Sequence, residues 1–193
     1  AYLAAITAHP GNREVFTAFE RVCYKAQRWA AALQLYELAI ADVEAGSRAY
    51  RLADLFTRKG QVQLEYLGQL EPAAVSFARV VELDAGSDVA VTALERIAGQ
   101  LGDWKVAIDA LERRAESATE GPRKLAAMRA AAQLAANRAQ RGDEAARLHH
   151  RILALSPRDR EALDALEQHY ETTQQWAKLI DVLKMRMEGT GAD

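Results

Sequence analysis

Apolar residues recur at steps of three and four along most of the chain, and short polar breaks interrupt them at regular intervals. Phe16, Phe19 and Cys23 fall on one side of a helical wheel, and after a break near Ala26 the row resumes as Ala32, Leu33, Tyr36, Ala39 and Ile40. The same two-part figure returns as Val91, Leu94 and Ala98, a break at Gly102 and Asp103, then Ala107, Ile108 and Leu111. It returns again as Leu163, Leu166 and Tyr170, followed by Leu179, Ile180 and Leu183. A period near 3.6 puts each set on one helix face, so each figure predicts two short amphipathic helices. Ser87 and Asp159 stand where side-chain caps of a helix N-terminus belong. Alternating runs of Val, Ile and Thr are missing, and no strand is expected.

The three figures are copies of one another. Aligned from Pro10, Ala85 and Pro157, they superimpose Glu20, Glu95 and Glu167, and likewise Trp29, Trp104 and Trp176, at intervals of 75 and then 72 residues. Two looser units lie between them. Ala49, Leu52, Ala53, Phe56 and Gly60 read as one helix and its stop, Gln61 to Gly68 as extra residues, and Ala73, Phe77, Val80 and Leu83 as the next helix, ending at Asp84. Leu125, Met128 and Ala132, then Ala145, His149 and Ile152, form the other. The expected units run approximately 13–46, 47–84, 88–120, 122–156 and 160–188.

These residues resemble tetratricopeptide repeats. The family's small, aromatic, small and proline spacing on the second helix is met by Tyr2, Ala5 and Pro10, by Ala32, Tyr36 and Ala39, and by Ala145, His149, Ile152 and Pro157. Its first-helix pattern is met by Ala49, Leu52, Ala53 and Phe56. A glutamate replaces the family's small residue at Glu20, Glu95 and Glu167, and the mean unit of near 37 residues is longer than about 34, yet shorter than the 40 to 47 of HEAT and armadillo repeats. The resemblance implies an all-α fold, a right-handed α-α superhelix of about five helix pairs plus a leading helix, forming one array over 1–193. Both ends read as cut, so a piece of a longer array is expected, or one that associates through Leu3, Ile6, Leu179, Leu183 and Met187.

Composition narrows the function. Half of the 193 residues are apolar, and 25 basic against 27 acidic groups leave a net charge of −2, which gives no overall field for nucleic acid or an anionic membrane. No apolar run approaches the ~18 residues of a membrane span and no secretory leader pattern is seen. A cytoplasmic setting is expected, with a periplasmic or membrane-associated one left open because the first residue need not be the natural start. No HExxH, CxxC, GxSxG, Walker or GxGxxG motif is present, so neither enzymatic activity nor a cofactor is expected. His149 and His150 point about 100° apart on a helix and cannot chelate one ion from it, and His149 falls on the family's aromatic core position. Cys23, the single cysteine, reads as a small core residue. The three tryptophans recur at one register and read as packing, and the three glutamates as partners of arginines or backbone on an adjoining helix.

The resemblance implies a scaffold that binds a segment of another protein along a concave groove lined by first helices. Its lining would be Glu14, Thr17, Arg21, Tyr24 and Lys25, then Val89, Thr92, Arg96 and Gln100, then Glu161, Asp164, Gln168, Glu171 and Thr172. The family's carboxylate clamp of Lys and Asn is not reproduced there. Charge is also segregated: 122–160 carries nine basic and three acidic groups, whereas 61–120 carries five and eleven. Arg123, Arg129, Arg138 and Arg147 are therefore candidates for a basic patch, against the simpler reading of a solvated face. The alternatives are a spacer or self-assembling array and, less favoured, an RNA-binding repeat, for which paired base-reading side chains at a fixed position are not visible.

Overall fold

The computed structural model describes residues 2–190, and every regular element among them is helical. The helices are α1 Tyr2–Ala8, α2 Arg13–Lys25, α3 Trp29–Glu44, α4 Leu52–Gln61, α5 Leu70–Leu83, α6 Asp88–Leu101, α7 Lys105–Ser117, α8 Gly121–Asn137, α9 Gly142–Leu155, α10 Arg160–Thr172 and α11 Trp176–Thr190. The chain forms two compact units that meet in sequence after Leu101. In the first, α1 packs on α2 and α3, and each helix from α2 to α6 packs on the next. In the second, the same holds from α7 to α11. Unit three of the sequence reading thus contributes α6 to one unit and α7 to the other.

The connections inside the pairs are built alike. Gln27, Gly68, Gly102, Gln140 and Gln174 all have positive φ, between 52° and 73°. Gln27, Gly68, Gln140 and Gln174 lie two residues before the second helix of their pair, and Gly102 three. The left-handed residue reverses the chain after the first helix and lets the next amide reach back to its orphan carbonyls: Arg28 N–H donates to the Cys23 carbonyl and Gln175 N–H to that of Tyr170, each at 2.8 Å. Glutamine in this region carries a Cβ clash that glycine lacks. Gln174→Gly is therefore expected to raise stability by about 0.5–1 kcal/mol, net of the freedom it adds to the unfolded chain. Urea denaturation of the variant against the parent checks the sign.

Helix starts follow the capping chemistry. The Asn12 carboxamide oxygen accepts from the amides of Glu14 and Val15, the Ser87 hydroxyl from Ala90, and the Asp159 carboxylate from Ala162. Behind these starts most of the expected stripe positions are buried: Phe16, Cys23, Ala32, Tyr36, Ala39 and Ile40 in the first pair, Val91, Leu94 and Ala98 on α6, Leu163, Leu166 and Tyr170 on α10. Phe19 and Leu33 are half-buried, and Leu35 and Ala90, outside the expected rows, are buried as well.

Two expectations are corrected. Gly60 does not stop a helix: it is buried inside α4, where a Cβ would meet the Phe77 ring at 3.0 Å, so its absence admits the neighbouring helix. The extra residues continue α4 as a π-helical turn, Val62–Tyr66, which buries Val62 and Leu64 and turns Gln63 inward to accept from the Ser76 hydroxyl at 2.7 Å. Secondly, Ile6 is fully buried, so it offers no contact at the amino-terminal end. The side chains of Tyr2, Leu3 and Ala5 lie outside the described residues.

Candidate functional site

Polar side chains stitch helices of the same kind together. Within the first unit, Arg58 of α4 reaches both oxygens of Glu20 on α2 at 2.8 Å, and the buried Tyr36 hydroxyl donates to the same carboxylate at 2.8 Å. Within the second, Arg129 of α8 bonds the buried Asp159 at the start of α10, and Gln133 donates to Glu161 at 2.9 Å. These links place first helices beside first helices. Second helices are joined likewise: Glu112 of α7 takes two bonds from Arg147 of α9, at 2.8 and 2.9 Å, and a further one from Arg151. Each unit thus carries a row of first helices on one side, and the second unit shows a row of second helices on the other.

The pairing explains the charge segregation seen in the sequence. Glu112 and Glu116 belong to the acidic stretch, Arg147 and Arg151 to the basic one, and folding brings them together. The bond from Arg147 holds the Glu112 carboxyl below its ordinary range against the opposing effect of burial. Burial raises the pKa of Asp159, but Arg129 and the Ala162 amide outweigh it and leave a net depression. Of the four candidate patch residues, Arg129 and Arg147 are engaged in this way, Arg123 pairs with Glu120 on its own helix at 3.1 Å, and Arg138 is exposed.

The candidate groove residues are almost all at the surface. Glu14, Thr17, Arg21 and Lys25 on α2 and Val89, Thr92, Arg96 and Gln100 on α6 are exposed. Arg13, Glu14, Thr17, Ala18 and Arg21 line an open depression of about 440 Å³. On α10, Gln168, Glu171 and Thr172 are exposed, while Glu161 is held by Gln133 and Asp164 by Arg186, 2.5 Å away. Tyr24 is half-buried instead, edge-on to Trp29 and to Tyr66. Trp29 stacks on Tyr66 with ring centres 3.8 Å apart. Sequence reasoning missed Tyr66, because it lies in the π-helical turn, where the repeat register is broken.

The remaining singled-out residues divide. Cys23 is buried and its thiol is pushed up by that burial, the opposite of an activated nucleophile. Trp29 and Trp104 are half-buried as packing residues, but Trp176 is 55% exposed, a departure from the packing expectation. Glu20 and Glu167 meet arginines, the latter with Arg186 Nε at 2.7 Å. His149 occupies the core, and its Nδ1 has no hydrogen-bond partner among the described residues. Burial lowers its pKa below the ordinary 6.5, with His150 acting in the same direction and Glu161 and Asp159 opposing. A neutral folded histidine that charges on unfolding costs stability as pH falls through 6.5 towards the folded value. His149→Phe is expected to flatten that loss between pH 7 and 5. Urea midpoints across the range check it, and equal slopes for both proteins contradict it.

No family model matches the sequence, and none of the curated proteins does. Among solved structures the chain is similar to MamA, at 16% identity and a TM-score of 0.45 over 91% of this chain and 90% of that one. It is similar to YrrB, a TPR protein with an unusual peptide-binding site, at 17% identity and 0.45 over 100% and 93%. It is also similar to BtubC from P. vanneervenii, at 16% identity and 0.40 over 100% and 88%. In the chain itself, helix pairs recur with the same left-handed connection, and the first helices α2, α6 and α10 start on side-chain caps. The fold is tetratricopeptide-like. Among the described residues no helix is long and apolar enough to cross a membrane, and no three His, Cys, Asp or Glu side chains are grouped to hold a metal ion.

Proposed function

We propose that this chain is a protein-interaction scaffold and that the exposed faces of its first helices take up a segment of a partner protein. The supporting observation is the contrast between two faces of the same helices. On α2, α6 and α10 the inward positions are uniformly apolar, whereas the outward ones are exposed and change along the chain: Glu14, Val89 and Glu161 share one register position, Thr17, Thr92 and Asp164 the next, and Arg21, Arg96 and Gln168 the third. Constant residues serve the stack; variable ones at constant register suit a ligand of irregular sequence.

Arg21 and Arg96 share one register position, and both are exposed. With first helices spaced ~10 Å apart the two guanidinium groups stand on the order of 20 Å from each other. An extended peptide advances ~3.3 Å per residue, so the favoured partner segment carries two acidic residues about six apart. Panning a random peptide library on the chain should return such sequences. Arg21→Ala and Arg96→Ala should each weaken the selected peptide about tenfold, and more steeply at low salt. A neutral or basic consensus, or capture unchanged in the double variant, removes this reading.

A further inference from the structure

The three first helices of the first unit share one register. Steps of 37 and then 38 residues carry Phe16 to Ala53 and Val91, and Cys23 to Gly60 and Ala98, and all six are buried. The same steps carry Arg21 to Arg58 and Arg96, and all three arginines are exposed. One guanidinium therefore stands at the same level of α2, α4 and α6. Among the described residues Arg21 and Arg96 make no side-chain ion pair.

The middle arginine is held ready. Its two bonds to Glu20 both come from Nη1, so its Nε and Nη2 donors have no partner among the described residues. These two nitrogens form one edge of the guanidinium, the fork that receives a carboxylate side-on. The Arg58 side chain is 47% exposed and Glu20 18%, and Glu20 is fixed in turn by the buried Tyr36 hydroxyl. A second carboxylate can thus join Arg58 without displacing the first.

The spacing of the row selects a backbone conformation. First helices ~10 Å apart set the three guanidinium groups ~10 Å from one to the next. A β-strand turns every third side chain to its opposite face, so it cannot present three equally spaced carboxylates at this interval. A polyproline-II segment has three residues per turn and rises ~3.1 Å per residue, which puts every third side chain on one face at ~9 Å intervals. Glu14 lies two turns before Arg21, and Asp54 one turn before Arg58. A nucleic-acid strand, charged at every nucleotide, would be repelled there, whereas a peptide can carry neutral side chains between its acidic ones.

We propose that Arg21, Arg58 and Arg96 together read a polyproline-II segment of a partner protein that carries an acidic residue at every third position. The inference rests on the first-helix face being the one that takes up the segment.

Fluorescence anisotropy tests it with a labelled peptide that has glutamate at its first, fourth and seventh residues and proline and alanine between them. This peptide should bind at least about tenfold more tightly than one of the same composition with its three glutamates adjacent. Replacing the middle glutamate by glutamine should weaken binding about tenfold. Arg58→Ala should cost the parent peptide a similar factor and the glutamine peptide almost nothing. Because Arg58→Ala takes the cation from Glu20, the measurement is repeated with Glu20→Gln added, and circular dichroism checks that helicity is kept. If the middle glutamate is immaterial while Arg21→Ala and Arg96→Ala still weaken binding, this proposal falls and the peptide-binding face stands. If no acidic peptide responds to any of the three arginines, both fall. Tighter binding of the adjacent-glutamate peptide, or of a single-stranded RNA of equal charge, also overturns the proposal.

Discussion

Tyr36→Ala is expected to cost the first unit about 3–5 kcal/mol, the range for removing a buried aromatic side chain. Tyr36 has no exposed surface, and its ring lies 6.1 Å from that of Phe16, centre to centre. Its hydroxyl donates to Glu20, the carboxylate that also receives Arg58. Truncation therefore opens a cavity among Phe16, Leu35 and Ala39 and removes one of the donors that fix Glu20. Tyr36→Phe separates the two effects. It keeps the ring, gives up a single hydrogen bond to a charged acceptor, and should cost about 1–2 kcal/mol. Urea denaturation followed by circular dichroism gives both numbers. A loss below about 1 kcal/mol for the alanine variant would show that the first pair does not depend on this core.

Arg129→Ala is expected to destabilise the second unit by about 2–4 kcal/mol, somewhat less than the full cost of a broken buried pair because the arginine is partly in water. The asymmetry between the partners is what decides this. The Asp159 side chain is 3% exposed and Arg129 41%, so losing the arginine leaves a buried carboxylate whose remaining hydrogen bond among the described residues comes from the Ala162 amide. Losing the aspartate leaves a cation that water can reach. Asp159→Ala should thus cost no more than Arg129→Ala, even though it also removes the α10 cap, worth about 1 kcal/mol. The double variant should be less destabilised than the sum of the two. Arg123→Ala, at an exposed pair on a single helix, should change stability by under about 0.5 kcal/mol. Acid gives an independent check. A carboxyl whose folded pKa is depressed supplies stability that is complete above its unfolded value and is lost as pH falls through the folded one. Asp159→Ala should lack this part of the acid transition.

The two variants differ in how visible their sites were beforehand. Tyr36 was legible, because a core position on an amphipathic helix declares itself through residues three and four away. The role of Asp159 as a cap was legible too, from its place before an apolar row. Its bond to Arg129, thirty residues earlier, was not. Arg129 read equally well as part of a basic patch, and nothing in local spacing distinguishes a solvated arginine from one that meets a carboxylate on another helix.

The surface was legible in position more than in state. Glu14, Thr17, Arg21, Val89, Thr92, Arg96 and Gln100 were assigned to the lining of a groove, and they are exposed. Tyr24 was assigned with them, yet it leans into Trp29 and Tyr66, since an aromatic ring at the edge of a stripe gains more from burial than from solvent. Gly60 was read as a stop because glycine weakens helices in isolation. The Phe77 ring packed over it outweighs that preference.

Sequence alone determined the helices, their pairing and the three firm copies of the unit, because these follow from a period of 3.6 and from residues a few positions apart. Tertiary structure decided which charges neutralise one another, how the π-helical turn absorbs the irregular second unit, and where the register of the looser units lies. Each of these depends on a contact between residues far apart along the chain, and a local pattern carries no record of which distant side chain will arrive.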